Sequence, residues 1–107
     1  MRITSEPTIA DGLTCSAPSE PDYSIIKKNV DQFITASEEN IQEAMRLVAG
    51  EVKLLAEPSS CVGIGAFLGG DYHPAPGEKV CFVLSGGNWD VDQIGKVFNH
   101  EPVEAVL

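Results

Sequence analysis

The sequence predicts an α/β fold in which parallel strands are flanked by helices, and three observations carry that expectation. Residues 80–84, Val-Cys-Phe-Val-Leu, are an apolar run rich in β-branched and aromatic side chains, bounded by Pro76-Gly77 before and Gly86-Gly87 after. A run of that kind reads as a strand buried on both faces, and such strands belong to parallel sheets covered by helices. Ile41, Ala44, Met45, Val48 and Val52 recur at i, i+3 and i+4, the apolar stripe of a helix lying on a core. The order strand, helix, helix, strand, helix alternates as α/β folds do, and strands joined by helical crossovers pair in parallel.

Residues 1–21 are rich in Pro, Ser, Thr and Glu without a sustained period, which predicts an extended or irregular arm. Within it, Asp11-Gly12 is a turn signal. Residues 22–99 form a single unit. It opens on a short amphipathic helix, with Tyr23, Ile26 and Val30 at helical spacing after Pro21 and Asp22 as the cap. Residues 32–36, through Phe33, Ile34 and Thr35, read as a strand. Ser37 then caps the clearest helix of the chain, with Glu38 and Glu39 in a first turn where the helix dipole favours negative charge.

Glu57-Pro58-Ser59-Ser60 starts a further helix, with Pro58 at the first position, where its missing N–H costs nothing. That helix runs through Cys61, Val62, Ile64, Ala66, Phe67 and Leu68 to Gly69-Gly70. It is apolar nearly all round, so it is expected to be buried, and Glu57 becomes a carboxylate close to the interior. A capping role for Glu57 is one reading of that position. Residues 71–77, with His73, Pro74 and Pro76, form a rigid surface loop leading into the strand at 80–84. Directly after that strand come the Ser85 hydroxyl, two glycines that let backbone approach a ligand closely, the Asn88 amide, and Asp90 as cap of a last helix marked by Val91, Ile94, Val97 and Phe98. Ligands of open α/β sheets bind outside the carboxyl ends of strands; a tight turn whose glycines serve only geometry is the alternative. Residues 100–107 are a tail.

A chain of 107 residues holds one small domain that buries roughly two-thirds of its unfolded surface. Seven basic against sixteen acidic residues give a net charge of -9, which repels nucleic acid and anionic membrane surfaces and argues against both as partners. The longest apolar run falls far short of the roughly 20 residues that span a bilayer. Residues 1–25 lack the apolar centre of a signal peptide, so a cytoplasmic location is expected. The three cysteines, Cys15, Cys61 and Cys81, form no C-x-x-C pair and read as reduced thiols, the latter two as small buried hydrophobes. His73 and His100 have no partner at i+4, so no zinc constellation is visible.

Thr8-Ile9-Ala10-Asp11-Gly12, Leu54-Leu55-Ala56-Glu57-Pro58 and Ser85-Gly86-Gly87-Asn88 occur in that order. Together they resemble the Thr-Ile-Ala-Asp-Gly, apolar-Glu-Pro and Ser-Gly-Gly-Asn segments of the pyridoxal-phosphate-dependent serine/threonine dehydratases and serine racemases, enzymes of fold type II with a tryptophan synthase β-like fold. The match covers residues 8–98 and corresponds to the C-terminal third of the family's catalytic chain. The resemblance implies pyridoxal phosphate as cofactor and an amino-acid substrate that loses water and then ammonia, or is racemised. It also implies that Ser85 hydrogen-bonds the pyridine nitrogen, that Gly86 belongs to the same cofactor-binding turn, that Asn88 sits just behind Ser85 and helps fix that turn, and that Gly12 and Glu57 flank the ring.

The family's Schiff-base lysine, with its Ser-x-Lys-x-Arg surroundings, and its glycine-rich phosphate loop have no counterpart among the residues of this chain. No catalytic residue therefore carries over, and because the family's cation-binding carboxylates lie before its Thr-Ile-Ala-Asp-Gly segment, the resemblance implies no metal ligand either. The chain is expected to be a truncated or separately encoded product, inactive by itself and prone to self-association through its apolar strand and helix. One alternative is an interaction subunit that completes an enzyme in trans by docking onto a lysine-bearing partner chain. Another is an amino-acid-binding regulatory module of the ACT kind, whose βαββαβ order the strand-then-helix pattern here does not follow.

Overall fold

The computed structural model describes residues 6–105. The first five residues of the arm and the last two of the tail lie outside that range. The described chain folds as four helices: α1 (Glu20–Asn29), α2 (Glu38–Leu47), α3 (Pro58–Leu68) and α4 (Val91–Phe98), preceded by a 3₁₀ turn at Asp11–Leu13.

α2 follows the sequence reading closely. The Ser37 side chain accepts the Asn40 N–H at 3.1 Å, and Ile41, Ala44 and Met45 are buried along one face. Val48 extends that stripe into a π-helical turn, Val48–Val52, which ends at Lys53 in the left-handed region (φ 64°). The wider turn ends the 3.6-residue period. Val52, expected on the buried stripe, is rotated off it and is exposed.

α3 packs against α2, and both α4 and the 3₁₀ turn are attached to this pair. Close approach depends on Gly65: a Cβ there would lie 3.1 Å from the Ile41 backbone nitrogen and 3.2 Å from the Asn40 carbonyl. α4 is capped as expected, the Asp90 carboxylate accepting the Asp92 N–H at 2.8 Å, and it buries Ile94 and Val97. Arg46 of α2 donates to the Val97 carbonyl at 2.8 Å and ties the two helices together. The core gathers Ile9, Ala10, Ile41, Ala44, Met45, Val48, Ala56, Cys61 and Val97, with Leu84, Trp89 and Val103 packed against it. Val103 gives part of the tail a defined place, and Ile9 and Ala10 do the same for the arm.

Three expectations need correction. The first helix begins two residues earlier than expected, because Ser19 rather than Asp22 is its cap, accepting the Asp22 N–H at 3.3 Å. The segments 32–36 and 80–84 form no β-strand among the described residues. A strand exists through its ladder hydrogen bonds, and among the described residues no backbone hydrogen bond joins either segment to a neighbouring one. Segment 80–84 is consequently open to solvent, with Val83 79 % exposed and Cys81 also exposed, rather than buried on both faces. Only Leu84 turns into the core, while the Phe82 ring meets Phe67 edge-on at 5.6 Å between centroids.

Candidate cofactor-facing site

The three motif segments, far apart in the chain, meet at the N-terminus of α3. Segment 8–13 is held at two points. The Thr8 hydroxyl donates to Glu38 Oε1, and the Ile9 N–H donates to Glu38 Oε2 at 2.9 Å, docking the segment on the start of α2. Four residues on, the Gly12 N–H donates to Ser59 Oγ at 3.0 Å. A Cβ on Gly12 would stand 2.8 Å from that same oxygen, so the glycine is what lets the turn reach α3.

From the other side comes the turn 85–87. The Glu57 N–H donates to the Gly86 carbonyl at 3.1 Å. Ser60, in the first turn of α3, reaches the same residue twice: its Oγ accepts the Gly86 N–H at 2.7 Å and lies 2.9 Å from the Gly86 carbonyl oxygen. Ser60 Oγ is also 3.2 Å from Ser85 Oγ. A Cβ on Gly86 would collide with the Glu57 carboxylate, and one on Gly87 would stand 2.5 Å from the Leu55 carbonyl oxygen. The space beside both glycines is thus filled by this chain's own 55–57 segment, which gives them the geometric role the sequence left open beside the ligand-approach reading.

Of the five residues singled out from the sequence, Gly12, Glu57, Ser85 and Gly86 are brought to this one end of α3. Asn88 lies farther along the same loop and is exposed. Glu57 occupies the cap position of α3, but contrary to the capping expectation its side chain makes no cap bond; the carboxylate lies against Gly86 instead. Sequence reasoning missed Ser59 and Ser60, which read only as helix-start residues. The available signal was two hydroxyls directly following a Glu-Pro start, where unpaired first-turn N–H groups attract neighbouring backbone.

The charge environment is acidic. Cys61, next to Ser60 and fully buried, has its thiol pushed up to about 11, first by burial and then by the negative charge of Glu57. It is an inert thiol at neutral pH. The bonding groups here are hydroxyls, backbone amides and one carboxylate. They suit an aromatic ring and a ring nitrogen; a phosphate dianion would be repelled by Glu57. Among the described residues no cluster of three or more His, Cys, Asp or Glu could hold a metal ion, and no helix is long and apolar enough to cross a membrane.

Comparison with known proteins places this arrangement in a class. Residues 1–86 match the model of the family described as "Pyridoxal-phosphate dependent enzyme", and the chain belongs to that family. The L-threonine ammonia-lyase of Thermotoga maritima is 35 % identical over 98 residues, which are 92 % of this chain and 24 % of that protein. The serine racemase of Dictyostelium discoideum is 39 % identical over 93 residues, 86 % of this chain and 28 % of that protein. The crystal structure of the Dictyostelium serine racemase matches the fold with a TM-score of 0.72 at 38 % identity, covering 78 % of this chain and 27 % of that one. The chain spans about a quarter of the length of the curated relatives it matches. The resemblance read from the three motifs, and with it pyridoxal phosphate as the family's cofactor, is borne out.

Proposed function

We propose that this chain forms the ring-facing wall of a pyridoxal-phosphate-dependent enzyme that deaminates threonine or serine, or racemises serine, and that a lysine-bearing portion completes the site. The convergence of segments 8–13, 57–60 and 85–87 on the start of α3 carries the reading, through the Gly12–Ser59, Glu57–Gly86 and Ser60–Ser85 contacts. The names of the relatives support the substrate class.

Bound in such a site, the cofactor supplies an electron sink that weakens bonds at the substrate α-carbon. Ser85 offers the ring nitrogen a neutral hydroxyl, which does not favour nitrogen protonation as a carboxylate would and so suits elimination over transamination. Gly12 and Glu57 line the ring, and Gly86 and Asn88 hold the turn that aims Ser85. None of Lys27, Lys28, Lys53, Lys79 and Lys96 lies in a motif that matches the family's covalent lysine. The decisive experiment is borohydride trapping with pyridoxal phosphate followed by peptide mapping. The chain by itself should show no stoichiometric label on any one lysine. Stoichiometric labelling of one of them, with ammonia released from threonine, would overturn the division of labour.

The interaction-subunit reading has its own support in the surface. Phe33, Leu55 and Val83 are large, apolar and more than half exposed, and apolar area of that kind favours association. Co-purification of a lysine-bearing partner chain tests this reading, and the separate expectation that the chain by itself self-associates is tested by sedimentation. A monodisperse monomer would count against self-association, and purification without any such partner against the subunit reading.

A further inference from the structure

Resting on the reading of Ser85 as the hydroxyl that meets the ring nitrogen, we propose that Ser60 is a positioning residue that fixes the Ser85 side chain and sets which end of its hydroxyl faces the cofactor. Ser60 is the one buried polar side chain among the described residues, 5 % exposed, whereas Ser85 is exposed. A buried hydroxyl costs stability unless its bonds are made, and Ser60 directs all of its own toward residues 85 and 86.

The bond inventory defines two states. Ser60 Oγ carries one proton and two lone pairs. One lone pair takes the Gly86 N–H at 2.7 Å. The proton has two acceptors, the Gly86 carbonyl at 2.9 Å and Ser85 Oγ at 3.2 Å. If Ser60 donates to the carbonyl, Ser85 donates to Ser60 and presents lone pairs outward, as a protonated nitrogen requires. If Ser60 donates to Ser85, the Ser85 proton is free to point outward, as an unprotonated nitrogen requires. The Gly86 carbonyl keeps the Glu57 N–H at 3.1 Å in either state, so it is not left unpaired when the proton moves. Ser60 thereby lets one serine serve both protonation states of a ring nitrogen without moving a heavy atom.

The test has a readout that needs no cofactor. In the full chain, the Hα–Hβ couplings of Ser85 report its rotamer, and amide exchange at Gly86 reports the Ser60 bond. Ser60→Ala should leave Ser85 averaging over rotamers and speed Gly86 exchange roughly five- to tenfold, as loss of one hydrogen bond implies. The amide resonances of α2 and α4 should stay in place, and Ser60→Thr, which keeps the hydroxyl, should hold Ser85 in one rotamer. A single Ser85 rotamer with unchanged Gly86 exchange in Ser60→Ala would overturn the proposal.

The cofactor readout uses the chain joined to the lysine-bearing portion of the Dictyostelium serine racemase and loaded with pyridoxal phosphate. The pH titration of the bound cofactor's absorbance should shift in the same direction for Ser60→Ala and Ser85→Ala, with the double variant no further than Ser85→Ala alone. A shift in Ser85→Ala with none in Ser60→Ala sinks the positioning role and leaves the assignment of Ser85 standing. If neither variant shifts the titration, the assignment of Ser85 falls, and the positioning role toward the cofactor falls with it.

Discussion

α1 and α2 are matched helices with opposite fates. Each is ten residues long, each is started by a serine whose hydroxyl accepts an N–H three residues on, and each carries two acidic residues in its first turn and at least one basic residue in its last. In α2, Ile41, Ala44 and Met45 are at most 3 % exposed. In α1 no residue is buried; Tyr23, Ile25 and Ile26 face solvent, and among the described residues no other helix packs against it. Local signals determine that a helix forms, but an apolar stripe becomes core only where a second face comes to meet it. Gly65 supplies that face for α2 by letting α3 approach its backbone. Among the described residues no helix reaches α1 in that way, and its apolar side shares with Pro18 and Phe33 a cavity of about 450 Å³.

The largest effect that would sharpen this contrast is on global stability. Met45→Ala should destabilise the chain by about 2–5 kcal/mol, the range for emptying a packed core position. Ile26→Ala should fall within about 0.5 kcal/mol of the parent, as at surface positions. Urea unfolding followed by far-UV circular dichroism measures both. A comparable loss at Ile26 would mean that α1 belongs to the core after all.

Next in size is the turn at the candidate site. Gly87→Ala puts a methyl 2.5 Å from the Leu55 carbonyl oxygen, a backbone atom that cannot swing aside, and should cost about 1–3 kcal/mol as overpacking does. Gly50→Ala, with open space around it, is the control. Equal behaviour of the two in the same denaturation experiment would show that the 85–87 turn does not rest on segment 55–57.

Smaller still are the caps. Ser37→Ala removes a cap worth about 1 kcal/mol from a helix on which the core is built, and the unfolding midpoint should move. Ser19→Ala removes a similar bond from α1 and should fray that helix, seen as faster exchange of its first amides, without moving the midpoint.

The last contrast is between thiols and is silent at neutral pH. Cys15 and Cys81 are exposed, and Cys61 is buried. A thiol reagent at pH 8 should modify the first two promptly and Cys61 only on unfolding, with mass spectrometry locating the adducts. Burial raises the Cys61 pKa from 9.0 to about 11, so the folded state holds this proton more tightly than the unfolded chain. That contribution to stability is complete below pH 9 and is lost as pH rises toward 11. Cys61→Val should remove this part of the alkaline loss.

The sequence by itself determined the family through its three motifs, and it determined the existence of all four helices, the Ser37 and Asp90 caps, Pro58 at the head of α3 and the apolar stripe of α2, because these are patterns within a few residues; the start of α1 at Ser19 and the burial of that stripe were not among them. It also named four residues that meet at one end of α3, since their motifs are local patterns whose order along the chain is visible. Only the tertiary structure decided the rest. Segments 32–36 and 80–84 have the composition of strands, but a ladder needs a partner in space, and composition does not say whether one is present. The exposure of Val83, the diversion of Val52 by a π turn and the use of Glu57 against Gly86 instead of as a cap follow from what lies across from each residue. Ser59 and Ser60 read as ordinary first-turn serines until the fold brought Gly12 to one and the 85–86 turn to the other, because a hydroxyl's role is set by the donors and acceptors within about 3 Å of it.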